Sequence, residues 1–144
     1  MDSVPALRSR GLRITRPRVA VLDVLGHGGH HDADAVRRQV NDGDTEVSVQ
    51  AVYDVLAVLV DHGLARRVGP AGSPAQYELR TAVNHHHLVC RGCRAVLDVG
   101  CDHGAAPCLD PHDAHGFTVD ETEITYWGHC PDCQSARADL GGHA

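Results

Sequence analysis

The sequence has no apolar run that approaches the length of a membrane span. An α-helix needs about 20 consecutive apolar residues to cross a bilayer, and no stretch of the 144 residues comes near this. The pattern of a secretory signal, a charged start followed by an apolar segment, is missing too. We therefore expect a cytoplasmic protein with no membrane partner, in a reducing compartment that disfavours disulfides.

Sequence motifs of common hydrolytic enzymes are also missing. There is no His-Glu-x-x-His, and no nucleophile next to a base and a Gly-rich elbow. We expect no enzymatic activity. A zinc-binding thiol redox protein stays open as a distant alternative, because two of the six cysteines, Cys101 and Cys108, have no assigned role. That function would leave the basic N-terminal arm unexplained.

Lysine is absent, so all 13 basic side chains are arginine. The net charge of −6 by itself argues against a nucleic-acid partner. The charges are unevenly spread, however. Residues 1–83 carry ten Arg against ten acids, whereas residues 84–144 carry three against nine. Five Arg with only one opposing acid lie in the first eighteen residues: Arg8, Arg10, Arg13, Arg16 and Arg18. This arm is either a nucleic-acid contact or simply a basic segment exposed to solvent, and the charge pattern alone leaves both open.

Three helices are predicted in that half. Thr15 can cap a first helix, which ends at Gly26. A second, short helix fits residues 33–40. Ser48 can cap a third, with Gly63 at its end. The apolar stripe of the third helix consists of Val49, Val52, Leu56, Leu59 and Val60.

A β-hairpin is predicted after the third helix. Residues 64–68 and 75–79 have strand character, and the turn 69–74 between them is rich in Gly and Pro. Three helices and a hairpin are the order of a winged helix, whose third helix enters the major groove. A small helical domain without DNA binding stays open. The predicted DNA-binding residues are Arg13, Arg16, Arg18, Gln50, Ala51, Tyr53, Arg66 and Arg67. Asp54, also near the start of the third helix, would repel phosphate.

Two Cys-x-x-Cys pairs lie in the second half, Cys90/Cys93 and Cys130/Cys133. We expect both on hairpin loops, which would bring four thiolates together. Four thiolates suit a closed tetrahedral zinc site, which contributes directly to folding free energy. The alternative is a thioredoxin-like dithiol, which needs one pair at a helix N-terminus.

A second group of metal donors contains no sulfur. If residues 84–90 form a strand, His85 and His87 point to one side of it. Asp98, on the next predicted strand, could add an oxygen ligand. Glu78 and either His30 or His31 are further candidates from the first half. Mixed nitrogen and oxygen donors favour Fe²⁺ or Mn²⁺ over a second zinc.

Four segments resemble the signatures of the ferric uptake regulator family: residues 11–18, 47–56, 85–93 and 126–133. The resemblance spans about residues 7–133. It implies an α+β protein with a winged-helix DNA-binding domain at 1–80 and a small αβ dimerisation domain at 81–144. It also implies a Cys₄ zinc site, a regulatory metal, a homodimer, and a double-stranded operator with an inverted repeat.

Carried over by position, the resemblance implies one regulatory site per subunit. Its ligands are His30, Glu78, His85, His87 and Asp98. His30 is preferred to His31 by its spacing from the second helix. The further site of some relatives is not expected, because its usual ligands are replaced by Asn84, Ala105 and Thr122.

The signal is predicted to be hydrogen peroxide. Asp98 is similar to the peroxide-responsive branch of the family, in which iron-catalysed oxidation of a ligand histidine releases the operator. Residues 101–117 resemble actinobacterial members that control catalase-peroxidase. Glu78 departs from the best-known peroxide sensors, which have Asp. The alternative is a repressor that senses iron or manganese availability and does not respond to peroxide.

Overall fold

The computed structural model describes residues 2–69, 74–81, 85–100, 111–119 and 122–141. Within these residues the chain forms two compact units, Met1–Arg80 and Thr81–Ala144. No helix in the described part of the chain is long and apolar enough to cross a membrane. Cys101, Cys108, Asn84 and Ala105 lie outside the described residues, as does much of the catalase-peroxidase-like segment.

The N-terminal unit has four helices and a small antiparallel sheet. The sheet has the strand order β1-β3-β2, with the hairpin strands β2 and β3 pairing Arg66 with Glu78. The elements are α1 (Ser3–Ser9), α2 (Arg16–Gly26), β1 (His31–Asp32), α3 (Ala33–Asn41), α4 (Val49–Asp61), β2 (Ala65–Val68) and β3 (Gln76–Leu79). This is the predicted winged-helix order, preceded by one further helix.

Side-chain caps start the helices where the sequence predicted. The Thr15 hydroxyl accepts a hydrogen bond from the N–H of Arg18 at 3.5 Å, and the Ser48 hydroxyl accepts one from Ala51 at 3.1 Å. These bonds satisfy N–H groups that have no partner within the helix. Gly63 follows α4 with φ +67°, a conformation that a side chain would strain. Local chemistry thus fixes the bounds of α2 and α4.

The core of this unit lies among α2, α3 and α4. Leu22, Leu25, Val36 and Leu56 have no exposed surface. The prediction for the apolar stripe of α4 is wrong at one residue, Val49, which is 41% exposed. It is the first residue of the helix and projects beyond the packed turns. The buried stripe of α4 is instead Val52, Val55, Leu56 and Leu59.

The C-terminal unit has a three-stranded sheet and one helix. The strand β4 (His85–Cys90) is central, antiparallel to β5 (Val96–Gly100) and parallel to β6 (Thr125–Gly128). The helix α5 (Pro131–Gly141) follows β6.

The C-terminal unit has a thin core. Among its described residues, the buried apolar ones are Val89 and Cys90. On one face of the sheet, Leu88 stands directly between Leu97 and Tyr126, and these three side chains are 45%, 60% and 46% exposed. A unit with so little buried apolar surface needs additional stabilisation, such as metal or a second subunit.

Candidate metal centres and DNA-binding surface

The four cysteines of the two Cys-x-x-Cys pairs converge in one cluster. Cys90 ends β4 and Cys93 lies in the turn to β5, while Cys130 and Cys133 flank the start of α5. Their sulfur atoms all lie within 4.8 Å of one another, and Cys93 Sγ is 3.7 Å from Cys130 Sγ. The second pair therefore lies at a helix N-terminus and not on a hairpin loop, because Pro131 starts α5 there.

Backbone amides surround the sulfur of Cys90. The N–H groups of Gly92, Cys93 and Cys130 point to it at 3.4, 3.5 and 3.3 Å. The Cys130 amide contributes most to lowering the pKa of Cys90, to about 5, followed by that of Cys93. Bonds that favour the thiolate make this sulfur a ready metal ligand.

The pKa values of Cys93 and Cys133 are shifted in the opposite direction. The neighbouring sulfurs of Cys130 and Cys90 raise the pKa of Cys133 to about 12. At Cys93 the Ala95 amide lowers the pKa, but contacts with Cys90 and Cys130 outweigh it and the pKa is raised. Four thiolates cannot share this volume without a counter-charge. A divalent zinc ion supplies that charge, and the donor set fits it.

The backbone at Gly92 approaches the cluster closely. A Cβ atom at this position would lie 2.7 Å from Cys133 Sγ and 3.1 Å from Cys133 Cβ. A side chain at residue 92 would therefore have to displace Cys133 from its place in the cluster.

The N-terminal unit brings two of the predicted regulatory ligands together. His30 Nε2 lies 3.1 Å from Glu78 Oε2, and both side chains are 7% exposed. The other carboxylate oxygen of Glu78 lies 3.8 Å from Arg66 Nη1. A buried carboxylate of this kind is stable only beside positive charge or a metal ion.

His31, the alternative to His30, is held in a different way. Its Nε2 donates to the carbonyl of Gly28 at 2.9 Å, and its Nδ1 accepts from Gln39 at 3.3 Å. Both ring nitrogens of His31 are therefore used in hydrogen bonds within the protein. The assignment of His30 as the ligand stays a prediction.

The C-terminal unit brings three further predicted ligands together. His85 Nε2 and His87 Nε2 lie 3.9 and 3.7 Å from the same oxygen of Asp98, which stands opposite His87 across the β4–β5 pair. The two imidazoles meet edge to face at 5.1 Å. His87 is fully buried, whereas the side chain of Asp98 is 53% exposed. Two imidazoles and a carboxylate form half of a nitrogen–oxygen site.

The middle histidine of the run has different contacts. His86 is 4% exposed, and its Nδ1 accepts from the N–H of Ile124 at 3.3 Å. Its ring meets Tyr126 edge to face at 6.5 Å. The alternation of side chains along β4 thus separates His86 from His85 and His87, as predicted.

One carboxylate near the ligand histidines was missed by the sequence analysis. Glu123 Oε1 lies 3.3 Å from His87 Nδ1, the ring nitrogen that faces away from Asp98. No motif marks Glu123, since it lies far from His87 in the sequence. Only the parallel pairing of β4 with β6 brings the two segments together.

The predicted DNA-binding residues of α4 lie at its exposed N-terminal end. Gln50 is exposed, Tyr53 is 48% exposed, and Ala51 is half-buried. Gln50 Nε2 donates to Asp54 Oδ1 at 2.8 Å. The acid that would repel phosphate thus has a hydrogen-bond partner on the same helix.

The predicted arginines differ in their surroundings. Arg13, Arg16 and Arg67 are exposed. Arg18 is half-buried and donates to the carbonyl of Arg13 at 2.9 Å. Arg66, whose side chain is only 15% exposed, lies against Glu78. Adjacent residues of β2 point to opposite faces, so Arg66 and Arg67 leave the strand on different sides.

Comparison with known proteins gives concordant matches. The model of the ferric uptake regulator family matches residues 9–127. The transcriptional regulator FurA of Mycobacterium tuberculosis is 49% identical over 137 residues, covering 92% of this chain and 93% of that protein. Ferric uptake regulation protein 2 of Mycolicibacterium fortuitum is 50% identical over 139 residues, 94% of each chain. The crystal structure of the Vibrio cholerae ferric uptake regulator has a TM-score of 0.70 at 28% identity, covering 90% of this chain and 100% of that one.

A winged helix followed by an αβ unit with a four-cysteine cluster defines a metal-dependent regulator of transcription. Within that class, the chain belongs to the ferric uptake regulator family. It is a DNA-binding homodimer and not an enzyme. The cysteine cluster fits structural zinc, and the histidine and carboxylate donors fit regulatory iron or manganese. The predictions of family, α+β fold and cofactors are confirmed.

Replacing Gly92 by Ala should weaken zinc binding. The added Cβ would have to displace Cys133, and we expect a loss of about 10-fold to 100-fold in zinc affinity, typical of residues that support ligands. Competition with a chromogenic zinc chelator measures this. Gly100→Ala is the matched control, because nothing lies within 4 Å of the Cβ it would add. Equal zinc retention in both variants would contradict the role of Gly92.

Proposed function

We propose that this chain is a peroxide-responsive repressor whose regulatory ion is held jointly by His30, Glu78, His85, His87 and Asp98. The observation that supports this most is the donor chemistry of the two units. Each unit gathers nitrogen and oxygen donors without sulfur, two residues in one and three in the other, and all of them except Asp98 are largely buried. Such donors suit Fe²⁺ or Mn²⁺ and leave the thiolates to zinc.

Shared ligation would couple metal to DNA binding. His30 and Glu78 belong to the unit that carries α4, and the other three ligands belong to the second unit. Simultaneous ligation stabilises only the arrangement of units in which all five side chains reach one point. In a homodimer that arrangement sets the distance between the two α4 helices, which successive major grooves require to be about 34–36 Å. We infer an operator with an inverted repeat and a cytoplasmic location.

The ligand set also supports the response to peroxide. When bound, ferrous iron supplies the electron that converts hydrogen peroxide to a reactive oxidant. The half-exposed side chain of Asp98 leaves room for a small oxidant to approach. One oxygen atom of the peroxide would be inserted into a ring C–H bond of His30 or His85 while the other leaves as water, and the oxidised ring would no longer serve as a ligand. Without that ligand the two units lose their shared attachment, and the operator is released.

His87→Ala should abolish metal-dependent operator binding while zinc content and dimerisation persist. The imidazole is fully buried beside Asp98, so its removal would leave the site without one of its nitrogen ligands. The measurement is operator affinity with and without Mn²⁺, together with zinc analysis and sedimentation. His115→Ala, at an exposed position, is the control. Metal-dependent operator binding retained by His87→Ala would refute the shared site.

Peroxide should modify the iron-loaded protein at ligand histidines. After H₂O₂ treatment of the purified dimer, we expect peptides with His30 or His85 to gain the mass of one oxygen atom with Fe²⁺ and not with Mn²⁺, together with operator release. Oxidation confined to cysteines would indicate a thiol switch. Unmodified histidines with operator binding intact would indicate a sensor of metal availability, the alternative function.

The two arginines of β2 should have separable effects on DNA binding. Arg67→Ala removes an exposed cation, so we expect weaker operator binding and a salt dependence reduced by about one counterion. Arg66→Ala removes a neighbour of Glu78, so its defect should depend on metal concentration and not on salt. Operator titrations at several Mn²⁺ and salt concentrations distinguish the two. Identical behaviour of both variants would contradict the assignment.

A further inference from the structure

The imidazole of His87 lies between two carboxylates. Its Nε2 is 3.7 Å from Asp98 Oδ1, and its Nδ1 is 3.3 Å from Glu123 Oε1. The side chain is fully buried. Asp98 belongs to the donor set of the regulatory site, but Glu123 lies on the opposite side of the ring and is not one of its ligands.

A neutral imidazole carries one proton, and only the nitrogen without it can bind a metal ion. A carboxylate beside one nitrogen favours the tautomer with the proton on that side. His87 has a carboxylate beside each nitrogen, but Glu123 at 3.3 Å is nearer than Asp98 at 3.7 Å. Glu123 therefore favours protonation of His87 at Nδ1, which leaves the lone pair of Nε2 directed toward Asp98 and His85. Carboxylates in this relation to a ligand histidine fix its tautomer and its ring orientation.

We propose that Glu123 is a positioning residue of the regulatory metal site, acting through His87. This inference rests on the proposed function, in which His87 is a ligand. Glu123 would not touch the metal ion itself. Its carboxylate would hold the Nδ1 proton and the plane of the ring, so that Nε2 is ready for the ion.

The backbone next to Glu123 is anchored to the histidine run in both directions. The carbonyl of Ile124 accepts from the N–H of His87 at 3.1 Å. The N–H of Ile124 donates to His86 Nδ1 at 3.3 Å. These two bonds place residue 123 beside His87 by backbone contacts and not by the reach of a flexible side chain.

The same contacts give His86 a role. Its buried ring is held edge to face by Tyr126, and its Nδ1 is used by Ile124. His86 thus supports the segment that carries Glu123, on the face of β4 opposite to the ligands. The three adjacent histidines divide into two ligands and one anchor.

The test compares Glu123→Ala and Glu123→Gln with the full-length zinc-loaded dimer after removal of the regulatory ion. Two-bond ¹H–¹⁵N spectra of the histidine rings report the tautomer of His87 without any regulatory metal present. We expect the Nδ1-protonated fraction to fall in Glu123→Ala. The fall should be smaller in Glu123→Gln, whose side-chain carbonyl can still accept a hydrogen bond from the Nδ1–H of His87.

Manganese affinity provides the second readout. Mn²⁺ titration should show about 10-fold to 100-fold weaker binding by Glu123→Ala, with zinc content unchanged. Glu46→Gln is the control for loss of one exposed carboxylate, since Glu46 lies in the other unit. A weaker Mn²⁺ affinity with an unchanged tautomer would overturn the positioning role and leave only a charge effect. An unchanged tautomer of His87 together with an unchanged Mn²⁺ affinity would also overturn the positioning role of Glu123.

The outcomes separate this inference from the proposed function. If His87→Ala loses Mn²⁺ binding and Glu123→Ala does not, only the role of Glu123 fails. If His87→Ala still binds Mn²⁺, the ligand assignment itself fails, and the tautomer measurement still shows whether Glu123 orients the ring.

Discussion

The pairing of β4 with both of its neighbours is the constraint on which both metal centres depend. Its alternation directs His85 and His87 toward Asp98, and its last residue, Cys90, contributes a sulfur that accepts three amide hydrogen bonds. A shift of one residue in register would turn both imidazoles to the opposite face of the sheet. The zinc cluster ties the end of β4 to the start of α5 and so opposes this shift. The four-cysteine cluster and the donor group of His85, His87 and Asp98 are therefore linked through a single strand.

The C-terminal unit depends more on metal for its folding stability than the N-terminal unit does, because its apolar core is smaller. The N-terminal unit buries apolar side chains from α2, α3 and α4, which suffices for a small helical domain. In the described part of the C-terminal unit, buried apolar surface comes from Val89 and Cys90, while Leu97 and Tyr126 are exposed. Ligation of four thiolates supplies folding free energy that apolar burial does not. A second subunit can cover the exposed apolar face, in keeping with a homodimer.

Features set by neighbours in sequence were predictable, and those set by distant pairing were not. Capping side chains marked α2 and α4, and alternation separated His86 from His87. The error at Val49 and the misplaced second cysteine pair arose at helix starts, where position in the turn decides exposure. Glu123 could not be found, because its contact with His87 depends on a parallel strand pair between segments far apart in the chain. The sequence therefore predicted which donor atoms each metal centre offers. The contacts that hold those donors in place could be found only from the folded structure.

The hydrogen bond between Gln50 and Asp54 bears on how α4 would read a base. While one N–H of the Gln50 side-chain amide donates to Asp54, that bond fixes the orientation in which the amide can meet a base. The paired contact with adenine needs both groups of the amide. An exposed pair four residues apart on a helix contributes about 0.2–0.5 kcal/mol, whereas a paired contact to a base discriminates by about 1–3 kcal/mol. Because the contact with the base is the stronger of the two, Gln50 can leave Asp54 to bind adenine. The released carboxylate of Asp54 would then face the DNA, where repulsion from phosphate opposes binding at every site, whether or not a base is matched.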